Sequence, residues 1–90
     1  MMLDDNTGMY YSKGKIISLT PTENLILQVL IRNKQRATTY KEILHEVWLM
    51  EYNKKTRLML EQRISLLRYK LRKVLKITTI RTIGYNIREV

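Results

Sequence analysis

The chain has 90 residues, no Cys, one His and a formal net charge of +9, with 17 Lys or Arg against 8 Asp or Glu and 44% apolar residues. Zero Cys excludes disulfide frameworks, thiolate catalysis and Cys-based zinc sites together and suits a reducing cytoplasm, while the length allows one domain with one modest core. No run approaches about 18 consecutive apolar residues and the N-terminus lacks a signal-peptide pattern, so the visible chain reads as soluble, and its excess charge calls for a polyanionic partner.

Residues 2 to 18 alternate short apolar runs with turn signals at Asn6-Thr7-Gly8 and Ser12-Lys13-Gly14, which predicts two or three short antiparallel strands. Such strands must lean on the helices that follow, so the segment is scaffold, with Tyr10 and Tyr11 at core and edge. Leu19-Thr20-Pro21-Thr22-Glu23 is a helix start: Thr20 caps the N3 amide, Pro21 suits N1, and Glu23 reaches back to the cap. Leu27, Leu30 and Ile31, joined by Ile26 and Val29, make this first helix apolar around much of its circumference, and it ends near Arg32-Asn33. A second capping box, Thr39-Tyr40-Lys41-Glu42, opens a helix that points Ile43, Leu44, Val47 and Trp48 inward. His45 is the one histidine, without the neighbours that a metal site or a catalytic dyad requires, and reads as ordinary surface.

Residues 49 to 55 form a connection in which Leu49 and Met50 look exposed, either folded back over the core or presented to a protein. From Thr56 to Lys76 the chain has neither Gly nor Pro and reads as one long helix about 30 Å in length. Leu60, Ile64, Leu67, Leu71 and Leu75 form a stripe that packs on a core. The opposite sector holds Gln62, Leu66, Tyr69 and Lys73, flanked by Arg63, Ser65, Lys70 and Arg72, with no acid among them. Between Lys54 and Lys76 nine Lys or Arg face one acid, Glu61, so nearly all of the net charge sits on this element. A solvated charged face is the bland reading; a helix of the right width for the major groove of DNA is the sharper one. Residues 77 to 88, rich in β-branched side chains, predict a hairpin that turns near Thr82 to Gly84 with Arg81 close to its tip.

The ordered series of an LTPTE helix start, a helix end at Val47-Trp48, the segment Arg63-Ile64-Ser65-Leu66-Leu67-Arg68-Tyr69-Lys70-Leu71 and the segment Thr79-Ile80-Arg81-Thr82-Ile83-Gly84-Tyr85 resembles the OmpR/PhoB-type winged-helix DNA-binding domain. The resemblance covers almost the whole chain. It implies an α+β winged helix-turn-helix: N-terminal strands over 1–19, three helices over 20–76 and a wing hairpin over 77–88. It also implies a bacterial transcription regulator binding double-stranded DNA, with the third helix in the major groove, the wing in the adjacent minor groove, and RNA polymerase or a second protomer on tandem half-sites near the connection. On that carry-over Arg63, Leu66, Tyr69, Lys70, Arg72 and Lys73 face DNA and Arg81 makes the wing contact. Arg63 and Lys70 donate to guanine or phosphate, Lys73 contacts phosphate, and Leu66 with Tyr69 packs on a thymine methyl or sugar. Arg68, nearer the buried stripe, is expected to pair internally or with backbone.

Two positions depart from the family pattern. Leu66 stands where a polar or basic residue is more usual, and Thr82 replaces the first wing glycine, which alters the turn. No cofactor is implied. The beginning Met1-Met2-Leu3-Asp4 mildly favours an N-terminal, ToxR/CadC-like arrangement with a membrane span further on, over a response regulator with a preceding receiver. Rival readings are a winged-helix protein-interaction module, which requires a large exposed apolar patch; a helix for anionic lipid, which requires an apolar face free of the core; and an enzyme, for which no nucleophile with a nearby base and no paired carboxylates stand out.

Overall fold

The computed structural model describes residues 2–4, 9–12 and 14–90. The turn expected at Asn6-Thr7-Gly8 and Lys13 of the next turn lie outside the described residues. Three strands, β1 (Met2–Asp4), β2 (Met9–Ser12) and β3 (Lys15–Ser18), form an antiparallel sheet in that order. Tyr10 is buried from its centre, with Leu3 and Ile17 opposite it.

Helix α1 (Pro21–Arg32) begins at the Thr20 capping box. The Glu23 amide donates to Thr20 Oγ1 at 3.2 Å and the Thr20 amide donates to Glu23 Oε1 at 2.9 Å, satisfying two amides that a helix start leaves open. A two-residue strand, β4 (Thr38–Thr39), leads directly into helix α2 (Tyr40–Trp48), whose Thr39–Glu42 box closes in the same way. Helix α3 runs from Lys54 to Leu71, and the wing is β5 (Leu75–Ile80) paired antiparallel with β6 (Gly84–Glu89).

One core joins these elements: Ile26, Leu27 and Leu30 of α1, Ile43 and Leu44 of α2, Leu60, Ile64, Leu67 and Leu71 of α3, and Leu75, Ile77, Tyr85 and Ile87 of the wing. Each fully buried aliphatic side chain contributes about 1.5–3 kcal/mol relative to exposure, so the four on α3 weigh heavily in docking that helix. Tyr85 also meets Tyr40 edge-on at 5.3 Å and Tyr40 meets Tyr52 at 5.9 Å, tying the wing to α2 and to the connection before α3.

The third helix differs from its sequence expectation at both ends. It begins two residues before Thr56, because Asn53 caps it, and it stops at Leu71 instead of Lys76. Leu75 satisfies two periods at once: it continues the 3.6-residue stripe of α3, and it also alternates with Ile77 as buried strand positions between exposed Lys76 and Thr78. The β-rich segment that follows decides for the strand, with residues 72–74 as the turn.

Strand β4 carries no sequence signal of its own. It forms because β6 offers a free edge, pairing Thr38 with Tyr85 and Thr39 with Gly84 to give the order β4-β6-β5. The approach is so close that a Cβ on Gly84 meets the Thr38 carbonyl oxygen at 1.9 Å. At the wing turn Thr82 has φ +64°, a left-handed conformation that a β-branched residue adopts at a cost. Gly84→Ala is therefore expected to lower unfolding free energy by about 2 kcal/mol or more, and Thr82→Gly to raise it by about 0.5–1 kcal/mol. Urea titration of both variants measures the pair; a neutral Gly84→Ala contradicts the β4–β6 contact.

Candidate nucleic-acid interface

The side chains available to a partner depend on how α3 is held. Its start is a reciprocal cap: the Thr56 amide donates to Asn53 Oδ1 and the Asn53 amide donates to Thr56 Oγ1, each at 2.9 Å. The end of α2 turns sharply at Leu49: its amide makes the last helical bond to the His45 carbonyl, and its φ of 57° folds the chain so that the Met50 amide donates to the Leu44 carbonyl. The connection is thereby only five residues, 49–53, and leaves Leu49 81% exposed.

Along α3, Leu60, Ile64, Leu67 and Leu71 face inward. The outward face carries Leu58, Gln62, Leu66 and Tyr69, with Lys55 one turn before them and Arg63 on the flank, all exposed. Leu66 is 58% and Tyr69 66% exposed, an unusual display for a helix that has a core to fill.

The nine basic side chains between Lys54 and Lys76 divide into two groups. Lys70, expected to face DNA, is engaged within the fold: its ammonium donates to Glu23 Oε1 at 2.7 Å, on the side of α1. Glu23 is buried, which pushes its pKa up, but the Lys70 ammonium and the Thr20 amide outweigh burial and hold the carboxyl below its ordinary value. Arg68 behaves as expected from its position, donating to the Ile77 carbonyl and to Thr79 Oγ1, both at 3.0 Å, and so fastening α3 to the wing. Arg72 lies beyond the helix end, where its guanidinium stacks 4.1 Å from the Tyr69 ring centroid and donates to the Tyr69 carbonyl at 2.7 Å, closing an open helix terminus. Arg57 lies 3.7 Å from Glu61.

Among the described residues, Lys54, Lys55, Arg63, Lys73 and Lys76 make no side-chain hydrogen bond or ion pair. Lys73, placed by helical periodicity with Gln62 and Tyr69, stands in the turn after α3. Arg81 is exposed in the wing turn, beside exposed Ile83, and the Tyr40 amide donates to the Ile83 carbonyl at 3.2 Å, which fixes the wing tip against α2.

The expected residues are thus gathered incompletely. Arg63, Leu66 and Tyr69 share one surface, Lys73 adjoins it, Arg81 stands on the wing, and Lys70 and Arg72 are engaged within the fold. Three side chains join the surface that a selection by charge and by helix start passes over: uncharged Leu58 and Gln62, and Lys55, which the Asn53–Thr56 cap brings onto the helix. Exposed His45 lies on α2. No group of three or more His, Cys, Asp or Glu suited to a metal occurs among the described residues, and none of their helices is long and apolar enough to cross a membrane.

Residues 14–87 match the family model described as "Transcriptional regulatory protein, C terminal". Regulatory protein VanR of Enterococcus faecium is 33% identical over 91 residues, which span 97% of this chain and 39% of VanR. The DNA-binding domain of Bacillus subtilis CssR superposes with a TM-score of 0.79 at 28% identity, covering 97% of this chain and 98% of that one. The AdeR DNA-binding domain, solved in complex with an intercistronic region, gives a TM-score of 0.78 over 99% of this chain and 94% of its own, and at 20% identity it shows the shared fold.

The Glu23–Lys70 pair also sets a pH dependence. Glu23 is held below its ordinary value, and Glu42 is lowered to about 2 by Arg36 and the Thr39 amide. A carboxylate depressed in the folded state contributes stability that is full above its unfolded pKa and is lost as pH falls through the folded one. Stability is expected to decline from about pH 5 toward pH 2. Lys70→Met is expected to remove about 1–2 kcal/mol at pH 7, discounted because the Lys70 side chain is 39% exposed. It should also leave a shallower acid decline, since Glu23 is then less depressed. Denaturation midpoints from pH 2 to 7 measure both; an unchanged acid slope contradicts the pair.

Proposed function

The chain belongs to the family of transcriptional regulatory protein C-terminal domains, and from that premise we propose that its 90 residues act as one winged-helix unit. This unit binds double-stranded DNA sequence-specifically in bacterial transcription regulation. In this reading α3 enters the major groove and the β5–β6 wing approaches the adjacent minor groove, with tandem half-sites taking two copies. The observation that carries it is the outward surface of α3: Lys55 and Arg63 project from a face with no acid, and Lys73 extends the same positive edge into the following turn. A duplex spaced with phosphates supplies the countercharge that the chain itself lacks. The cytoplasm is the compartment that suits this partner.

Roles divide by chemistry. Arg63, free and flanking the face, is placed to donate to a guanine edge or to phosphate, whereas Lys73, outside the helix, suits a phosphate. Arg81 at the wing tip suits a phosphate or the minor groove. Lys70 acts on DNA only indirectly, by setting the rotation of α3. Tyr69 and Arg72 present a stacked pair at the end of the helix, where the ring can meet sugar and the remaining guanidinium N–H groups can meet phosphate.

A protein contact at residues 49–53 has its own support in exposed Leu49, Met50 and Tyr52. This surface adjoins the start of α3, where Met50, Glu51 and Asn53 line one cavity with Lys55, and suits RNA polymerase or a second protomer; it also carries the alternative of a protein-interaction module without DNA binding.

With about six phosphates neutralised, affinity is expected to fall about a thousandfold between 50 and 200 mM salt. Lys73→Ala should weaken binding to a selected duplex and to random duplex alike, whereas Arg63→Ala should also narrow the ratio between them. Fluorescence anisotropy on both duplexes measures the division; equal loss on both for both variants contradicts it.

A further inference from the structure

Five outward residues of α3, Lys55, Leu58, Gln62, Leu66 and Tyr69, follow one another at spacings of three and four and so form one stripe along the helix. All are exposed. The middle of this stripe is apolar or amide, not cationic. The bases that a helix of this charge brings along are drawn elsewhere: Lys70 to Glu23, Arg68 to the Ile77 carbonyl and Thr79, and Arg72 to the Tyr69 ring and carbonyl. Only Arg63, on the flank, keeps a free guanidinium within this length of helix.

Guanine offers the major groove two acceptors, O6 and N7, and its reading requires a donor. Leu66 has none. A thymine offers a methyl group, which an exposed leucine covers with mutual loss of water-accessible apolar surface. Adenine offers N7 as acceptor and N6 as donor, the complement of a Gln side-chain amide, and Gln62 stands one turn before Leu66 on the same face with its amide uncommitted.

We infer that the centre of the half-site read by α3 is A·T: an adenine paired to the Gln62 amide and thymine methyls covered by Leu66, with at most one flanking guanine taken by Arg63. The inference rests on the DNA-binding reading above and deepens it by naming the base chemistry. The occupant of the exposed apolar strip is duplex DNA because free cations border it, Lys55 before, Arg63 beside and Lys73 beyond, and no acid interrupts them.

The test begins with selection from a randomised duplex pool at low salt, followed by anisotropy on the enriched sequence and two relatives, one with thymine replaced by uracil at the central positions and one with central A·T replaced by inosine·cytosine, and by the same measurement with Leu66→Ala protein on the enriched and uracil duplexes. Removal of each contacted methyl is expected to weaken wild-type binding about threefold to fivefold. Leu66→Ala should bind the thymine duplex more weakly and no longer distinguish it from the uracil one; as an exposed side chain outside the buried stripe it leaves the fold intact. Inosine·cytosine keeps the minor groove of A·T but presents the major-groove acceptors of G·C, so binding should be lost. Enrichment of G·C at the centre, equal uracil sensitivity in wild type and Leu66→Ala, retained binding to inosine·cytosine, or binding without any enrichment would each overturn the inference and leave DNA binding standing. No binding to any duplex at low salt would overturn both.

Discussion

One carboxylate organises the way this fold presents its third helix. Glu23 Oε1 accepts from the Thr20 amide, which closes the start of α1, and from the Lys70 ammonium, which belongs to α3. The two acceptances bind the N-terminal end of one helix to the flank of another across 47 residues of chain. A buried carboxylate with neither partner is strongly unfavourable, so α3 can neither rotate nor slide without leaving Glu23 exposed to that penalty. Arg68 does the same work on the other side, reaching across to β5. Between them the two basic residues lock the rotation of the helix, and the buried stripe from Leu60 to Leu71 fills the space that the lock defines.

This division of labour changes how the charge of the helix is understood. Counting Lys and Arg along α3 gives a uniformly positive rod, but much of that charge is spent inside the molecule on Glu23, on the wing and on the helix terminus. The positive field persists at long range, where pairing with neutral carbonyls does not cancel it and where it steers a polyanion. At contact distance the surface is different: a leucine, an amide and a tyrosine in the middle, with exposed, unpaired cations at the margins. On the proposed function, steering and reading fall to different residues.

Much of the architecture was legible in the residues because its signals are local. The boxes at Thr20 and Thr39 need only a hydroxyl and a glutamate three residues apart, and both form. The ordered motifs from LTPTE to Ile83-Gly84-Tyr85 gave the family, and the matched span of residues 14–87 agrees. What was not legible depends on contacts distant in sequence. Leu75 suits a helix and a strand equally, and the β-rich segment after it takes Leu75 into the strand through pairing with Glu89, a partner distant in sequence. Strand β4 exists because β6 has an edge to offer, and Thr38-Thr39 alone does not announce it. Lys70 sits on a helical wheel as a flanking cation, but the acid it meets lies in another helix. Thr82, in contrast, was visible as a departure, and the wing keeps a left-handed turn at that residue despite its β-branched side chain.

On the proposed function, duplex DNA lies on the outward face of α3, which the Glu23–Lys70 pair holds in place. Amide chemical-shift mapping during titration with a selected duplex tests it most directly. The largest changes are expected along residues 55–69 of α3, through the turn at 72–73 and to the wing tip at 81–83, with the N-terminal sheet little altered. Changes concentrated on residues 49–52 and β3, with α3 unperturbed, would contradict it.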